Sequence, residues 1–333
     1  MEVAGHWLDD GLVTVVFGQL SPKALAKASR LTKRARLLAS EISASSLLRV
    51  MGKCGVAPLP KLLSGPRFEA LASWWNVEAS LEAWFIAQRS SLLLGPDGRV
   101  MLWRGASGKE RHAKPCGRAN PFFASQLPAW NEASVPGCAN GGAIEWGVGQ
   151  AELKTAKFAA PLAQPLSLLV VAKASGDTTI LDSLSPESQQ FEVCHGFPSV
   201  GGAGPPAICI SADGVGRKPP SKLQRGSTRS NGEWHVYSVV FDGERSAIYV
   251  DGVLESSGKS VGGGKLDGLT IGGDHTGTYN LRGAVAELRV YSCHLEEGPR
   301  AELEASLAVR YGLTPACVAA AEENQARRAR GGR

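Results

Sequence analysis

Between residues 166 and 292 the apolar positions fall into short runs broken by glycine, proline and aspartate. "LSLLVVAK" (166–173) is apolar for almost the length of one strand, the pattern of a strand covered on both faces. "EWHVYSVVFDG" (233–243) alternates and stops at Asp242-Gly243. In "IYVDGVLE" (248–255) two strand-like runs flank Asp251-Gly252, a pair that suits the two positive-φ positions of a tight hairpin turn. "GLTIGGD" (268–274) and "GAVAELRVYS" (283–292) follow at intervals expected of a sandwich. In the second of these, Ala286, Leu288 and Val290 are expected to face inward, and Glu287 and Arg289 outward. The period then changes. "LEEGPRAELEASLAVRYGL" (295–313) predicts a helix with Leu303, Leu307, Val309 and Tyr311 along one face and Gly312 at its stop.

The first fifty residues have a different pattern. Leu12, Val15, Val16, Phe17 and Leu20 recur at spacings of three and four, and Ser21-Pro22 supplies a cap and a pre-set first turn for a second helix through Leu25 and Ala28. Prolines 58, 60 and 66 then make a connector. The expected organisation is a helical module over residues 1–53, a linker over 54–73, a β domain over 74–315, and a charged, disordered tail over 316–333.

Composition agrees with a turn-rich β fold, since 40 of 333 residues are glycine and 19 are proline. No apolar run reaches the roughly 20 residues of a spanning helix, so no membrane is expected as a partner. The seven cysteines lack a C-x-x-C pair, and the N-terminus lacks the basic and apolar regions of a signal peptide. Both features predict an intracellular protein, cytoplasmic or nuclear, with reduced thiols. Between residues 20 and 53, Lys23, Lys27, Arg30, Lys33, Arg34, Arg36, Arg49 and Lys53 face one acid, Glu41. That skew reads either as a solvated helix face or as a surface for an acidic partner. Nothing in the chain suggests a nucleic-acid partner.

Two resemblances follow from these residues. "LDDGLVTVVFGQLSPKALAKASRLTKRARLLAS" resembles an F-box motif, through Leu8, Asp10, Leu12, Val16, Phe17, Leu20, Pro22, Leu25 and Lys33. Asp9, Thr32 and Ala35 depart from its usual Pro, Cys and Trp. The resemblance implies docking of Leu8, Leu12, Val16, Phe17, Leu20, Pro22 and Leu25 onto the acidic adaptor subunit of a cullin-type ubiquitin ligase. The ordered series Trp234-His235 to Asp242-Gly243, "IYVDG", "GLTIGG", "GAVAELRVY" and a helix ending "RYGL" resembles the laminin-G-like, concanavalin A-like jelly-roll family over about residues 81–313. "AWFIA", "GRVMLWRGASGKERHA", "NPFF" and "AIEWG" extend the likeness upstream. The implied fold class is mainly β, an antiparallel sandwich with a small helical module before it. Where family members often read Trp-x-Asp-x-Ser-Gly and Phe-Asp-Gly, this chain has Trp103-Arg104-Gly105-Ala106-Ser107-Gly108 and Glu145-Trp146-Gly147, so anchoring by those acids is not expected.

Candidate chemistry is sparse. Glucanases of this fold carry E-x-D-x-x-E, which is absent here, and Glu287 has no second acid on its strand, so it reads as a solvated or paired residue. No G-x-S-x-G, Walker or H-E-x-x-H motif occurs. His112, His195 and His235 read as structural, and Trp103, Trp130 and Trp146 as core. The best ligand-loop candidate is "GGDHTGTYNLRG" (272–283), with Asp274, His275, Tyr279 and Asn280. No cofactor is called for, the metal site is undefined, and calcium stays open as a ligand-holding ion that no specific motif supports. The expected function is a non-enzymatic adaptor, in which the helices recruit a ligase and the jelly roll binds a protein or glycan. Its rival is a lectin-like protein or carbohydrate-active enzyme with a structural helical cap.

Overall fold

The computed structural model describes residues 77–116, 126–135, 142–184, 191–196, 206–213 and 222–313. The chain divides into two compact units, Met1–Ala79 and Ser80–Arg333. The F-box-like residues Leu8 to Leu25, the connector and the tail lie outside the described residues.

The second unit is two packed antiparallel sheets. Among the described residues one sheet has eight strands. They are β1 (Leu81–Ile86), β5 (Ala129–Asn131), β6 (Ala143–Trp146), β8 (Leu166–Ser175), β13 (Asn231–Phe241), β14 (Ala247–Val250), β15 (Val253–Ser257) and β17 (Gly283–Tyr291). Their order is β15-β14-β13-β8-β17-β6-β5, with β1 also paired to β17. The other sheet has nine, in the order β12-β11-β10-β9-β16-β7-β4-β3-β2. These are β2 (Leu92–Leu94), β3 (Val100–Trp103), β4 (Ala113–Pro115), β7 (Leu153–Thr155), β9 (Thr178–Asp182), β10 (Phe191–Gly196), β11 (Ala207–Ala212), β12 (Gln224–Arg229) and β16 (Thr270–Ile271). The fold is a concanavalin A-like jelly roll with few helices.

The alternation in the sequence decides which side chains meet between the sheets. Leu166, Leu168, Val170 and Ala172 of β8 join Tyr237, Val239 and Phe241 of β13 and Leu288 and Val290 of β17 in one core with Phe191, Val193, Ile208 and Ile210 of the facing sheet. Leu169 and Val171 on the outer face of β8 are as buried as Leu168 and Val170 toward the core, so both faces are covered, which explains its unbroken apolar run. Asp251 and Gly252 take φ of 50° and 81°, so the β14–β15 hairpin closes through the predicted two-residue turn. The free edges of the two sheets approach at β12 and β15, where the Glu255 carboxylate accepts the backbone N–H of Ser227 (2.9 Å) and Thr228 (3.1 Å).

Helix α1 (Glu297–Arg310) follows β17 and packs on the outer face of the eight-stranded sheet, burying Arg300, Leu303, Glu304, Leu307 and Ala308. Gly312 at φ 59° ends it, with Leu313 N–H donating to Ala308 and Gly312 N–H to Val309, the paired bonds of a Schellman stop. Val309, expected on the buried face, is 70% exposed, because the stripe runs through Leu303, Leu307 and Tyr311 and leaves 309 on the far side. Glu287 and Arg289 do face outward from the sheet, as alternation requires. They are nevertheless buried, because Arg310 and Tyr311 at the end of α1 lie against them.

Candidate functional site

The loop between β16 and β17 holds the four residues singled out from the sequence, and each is committed to a different partner. Asp274 is fully buried and points into its own loop. Its Oδ1 accepts the backbone N–H of Thr278 (2.7 Å) and Tyr279 (3.1 Å), and its Oδ2 accepts the Thr276 hydroxyl (2.6 Å). A carboxylate accepting this many bonds acts as the scaffold of a turn. His275 is clamped to buried Asp182 at the end of β9, with both its backbone N (2.9 Å) and its Nδ1 (2.7 Å) on one carboxylate oxygen. Asn280 donates through Nδ2 to the Gln150 carbonyl (2.6 Å), while its Oδ1 is buried without a hydrogen-bond partner. Tyr279 is half-buried, and its carbonyl accepts the Thr179 N–H (3.2 Å). At the root of the loop Gly272, φ 79°, sits so close to Trp146 that a Cβ would fall 2.2 Å from the indole, so only glycine fits.

What this loop presents to solvent are Thr276 and Thr278, both exposed, whose hydroxyls lie 2.8 Å apart. Beside them Lys154 donates to the His275 carbonyl (3.0 Å) and pairs with Glu152 (3.3 Å). Asp182, Lys154 and the two threonines were not singled out from the sequence. Asp182 and Lys154 lie on strands about 90 and 120 residues away, and a single acid or lysine on a strand carries no signal of its own. Among the described residues no group of three or more His, Cys, Asp or Glu is placed to hold a metal ion.

The other histidines read from the sequence as structural are each held by contacts within the sandwich. His195 is fully buried, with Nε2 3.1 Å from the Tyr237 hydroxyl across the two sheets. Burial pulls its pKa down to about 4, against a smaller opposing effect from the Pro206 backbone, so the imidazole is neutral. Burial, then Asp251 and Glu255, push the Tyr237 phenol up. His235 sits with Nδ1 2.7 Å from Asp251, and His112 Nδ1 accepts the Gly105 N–H (3.2 Å). Cys194 and Cys209 oppose each other across β10 and β11 as free thiols, and burial pushes both up.

Glu287 has both of its carboxylate oxygens engaged. Its Oε1 accepts from Trp84 Nε1 (2.7 Å) and Arg289 Nε (2.7 Å), its Oε2 from the Tyr311 hydroxyl (2.8 Å) and Arg310 Nη1 (3.0 Å). Burial pulls the Arg289 pKa down, and the Glu287 and Tyr291 oxygens outweigh it, holding the guanidinium above its ordinary range. With every lone-pair direction filled, Glu287 has no geometry left for proton transfer to a ligand.

Residues 171–298 match the concanavalin A-like lectin/glucanases superfamily model. The concanavalin A-like region so defined runs from the middle of β8 to the start of α1. Solved structures similar to the chain include domain 4 of AbnA, a GH43 extracellular arabinanase from Geobacillus stearothermophilus, in complex with arabinotriose. It is 16% identical with a TM-score of 0.47, over 68% of this chain and 98% of that one. The ligand-binding domain of botulinum neurotoxin serotype D in complex with N-acetylneuraminic acid is 13% identical with a TM-score of 0.49, over 72% of this chain and 53% of that one. The binding domain of botulinum neurotoxin DC in complex with rat synaptotagmin II is 10% identical with a TM-score of 0.48, over 69% and 52%. The chain therefore spans about half the length of these toxin domains. No curated protein matches the sequence.

Proposed function

We propose that this protein is a non-enzymatic adaptor, intracellular as its scattered thiols suggest, whose concanavalin A-like sandwich binds a protein or glycan target. Its N-terminal F-box-like segment, through Leu8, Leu12, Val16, Phe17, Leu20, Pro22 and Leu25, docks on the adaptor subunit of a cullin-type ubiquitin ligase. Action is by proximity: one end holds the target and the other brings the ligase. The observation that carries the binding half is the loop over residues 272–283. Asp274, His275 and Asn280 fix it from within, so Thr276 and Thr278 stand at its surface with little conformational entropy left to lose. The engaged state of Glu287 supports a role without catalysis. The ligase half rests on the F-box resemblance, with the basic skew of residues 20–53 favouring encounter with an acidic adaptor.

The test is a pulldown of the full chain with the purified adaptor subunit, alongside a glycan and protein array probed with the same preparation. Capture by wild type and its loss in Leu25→Asp supports recruitment; no capture by wild type removes it. An array signal lost in the double variant Thr276→Ala, Thr278→Ala supports the loop as a target-binding element, and an unchanged profile removes that role.

A further inference from the structure

The outer face of the eight-stranded sheet is only partly covered by α1. Beyond the end of the helix, register brings residues far apart in sequence into one row: Trp234 of β13 opposes Lys173 of β8, Lys173 opposes Ala284 of β17, and Ala284 opposes Glu145 of β6. All four lie on the face away from the core, because their strand neighbours His235, Ala172, Val285 and Ile144 pair on the inner side. Ala284 is the small residue in the middle, so Lys173 reaches over it, its Nζ 3.5 Å from Glu145 Oε1 and 5.3 Å from the centre of the Trp234 ring.

The polar end of the row is held from one side only. Glu145 Oε1 accepts from Ser134 Oγ (2.5 Å), Asn131 Nδ2 (3.3 Å) and Lys173, whereas among the described residues Oε2 has no hydrogen-bond partner. Burial alone would raise this carboxyl, but the Ser134, Asn131 and Lys173 contacts outweigh it and hold the pKa below its ordinary value. Trp234 is fixed by its Nε1 donating to the Ser134 carbonyl (3.1 Å), and its ring is only half-buried. The row thus offers a rigid aromatic surface, an ammonium group and a pre-oriented, ionised, unpartnered carboxylate oxygen. With Lys173 Nζ reaching both groups, the Trp234 ring centre and Glu145 Oε1 lie within about 9 Å of each other, a span that one or two sugar units bridge.

We infer that this row is a saccharide-binding subsite, separate from the loop over residues 272–283, and that its ligand is a neutral, hydroxyl-rich sugar. An apolar ring face stacks on Trp234, adjacent hydroxyls donate to Glu145 Oε2, and Lys173 donates to a ring or hydroxyl oxygen. Neutrality follows from the charges. Glu145 and Lys173 cancel, so an anionic sugar meets the carboxylate and a cationic one meets the ammonium, each at a desolvation cost that a neutral sugar avoids. The inference rests on the reading of the sandwich as a binding domain, and not on ligase recruitment or on the loop.

The test is a titration of the full-length protein with maltotetraose, cellotetraose and mannotetraose as neutral probes and sialyllactose as the anionic one, followed by tryptophan fluorescence and calorimetry. At least one neutral probe is expected to bind. Trp234→Ala weakens it by about tenfold or more, the loss of one stacked aromatic contact and its area. Glu145→Gln, which keeps the shape and replaces the open acceptor with a donor, also weakens it, while Trp234→Phe, which keeps a stacking ring, retains most of the affinity. The Thr276→Ala, Thr278→Ala variant binds the probe as wild type does. Loss of saccharide binding in the loop variant with Trp234→Ala and Glu145→Gln unaffected overturns the subsite and leaves the proposed function standing. Preference for sialyllactose overturns the neutral class. Binding of none of the probes overturns the inference, and the ligase pulldown then decides the adaptor reading on its own.

Discussion

The outer face of the eight-stranded sheet carries two clusters built from the same kinds of residue, finished in opposite ways. Under α1, Glu287 meets Trp84, Arg289, Arg310 and Tyr311 and has both oxygens filled. Beyond the helix, Glu145 meets Ser134, Asn131 and Lys173 through one oxygen and leaves the other open, beside a half-buried Trp234. Each cluster is an acid, a base and a tryptophan on one sheet face, on adjacent strands in the first and with β17 lying between the acid and the base in the second. In the first, the helix excludes water and the cations repay the desolvation of the carboxylate, which makes the cluster a fastening for α1. In the second, solvent reaches the groups, the ion pair is weak, and the unused acceptor is available to something else. Coverage, and not residue type, separates fastening from surface.

The strongest way to break this contrast is to remove both acids. Glu287→Ala leaves Arg289 buried without its counter-charge and is expected to cost about 3–5 kcal/mol in urea unfolding. If it costs no more than Glu145→Ala does, the clamp under α1 is not structural. The interior supplies the next effect. His195 is neutral in the fold, with a pKa of about 4 against 6.5 when unfolded. Its contribution is therefore complete above pH 6.5 and is lost as pH falls from 6.5 toward 4, a loss of roughly 3 kcal/mol. Unfolding curves across that window should show this slope in wild type and a shallower one in His195→Phe. Asp274→Ala strips the loop over residues 272–283 of its internal acceptor and should cost about 1–3 kcal/mol. Hydrogen exchange should accelerate at the Thr278 and Tyr279 amides in particular. The smallest effect is that of Glu145→Ala, under about 1 kcal/mol by the same unfolding assay. A larger value would make Glu145 a structural residue like Glu287 and would count against an open acceptor there.

Much of the sandwich was legible because its signals are local. The Asp251-Gly252 turn is two residues read in place, the doubly covered β8 is one apolar run, and the stop of α1 is one glycine after one stripe. The clusters were not legible, for a physical reason. Alternation says that Glu287 and Arg289 face away from the core, but it does not say that a helix beginning ten residues later will return to cover them. The row of Trp234, Lys173 and Glu145 is set by register between strands separated by crossovers, so no spacing in the sequence marks it. The loop shows the same limit from the other side. Asp274 was recognisable as a polar residue of a promising loop, yet whether a short carboxylate turns outward or folds back onto its own backbone depends on φ and ψ that composition leaves undetermined.

The pairing of β1 with β17 has a mechanical consequence. Leu81 lies opposite Tyr291, and the Ser292 N–H donates to the Ser80 carbonyl (2.8 Å), so residues 80 and 292 sit at the same end of an antiparallel ladder. Tension applied between those two points loads the ladder at one rung, and the strands peel apart bond after bond like a zip. A pull along the strand axes from opposite ends would instead have to shear all the rungs together. Stretched between these two points, the sandwich gives way at a low force and from this seam first.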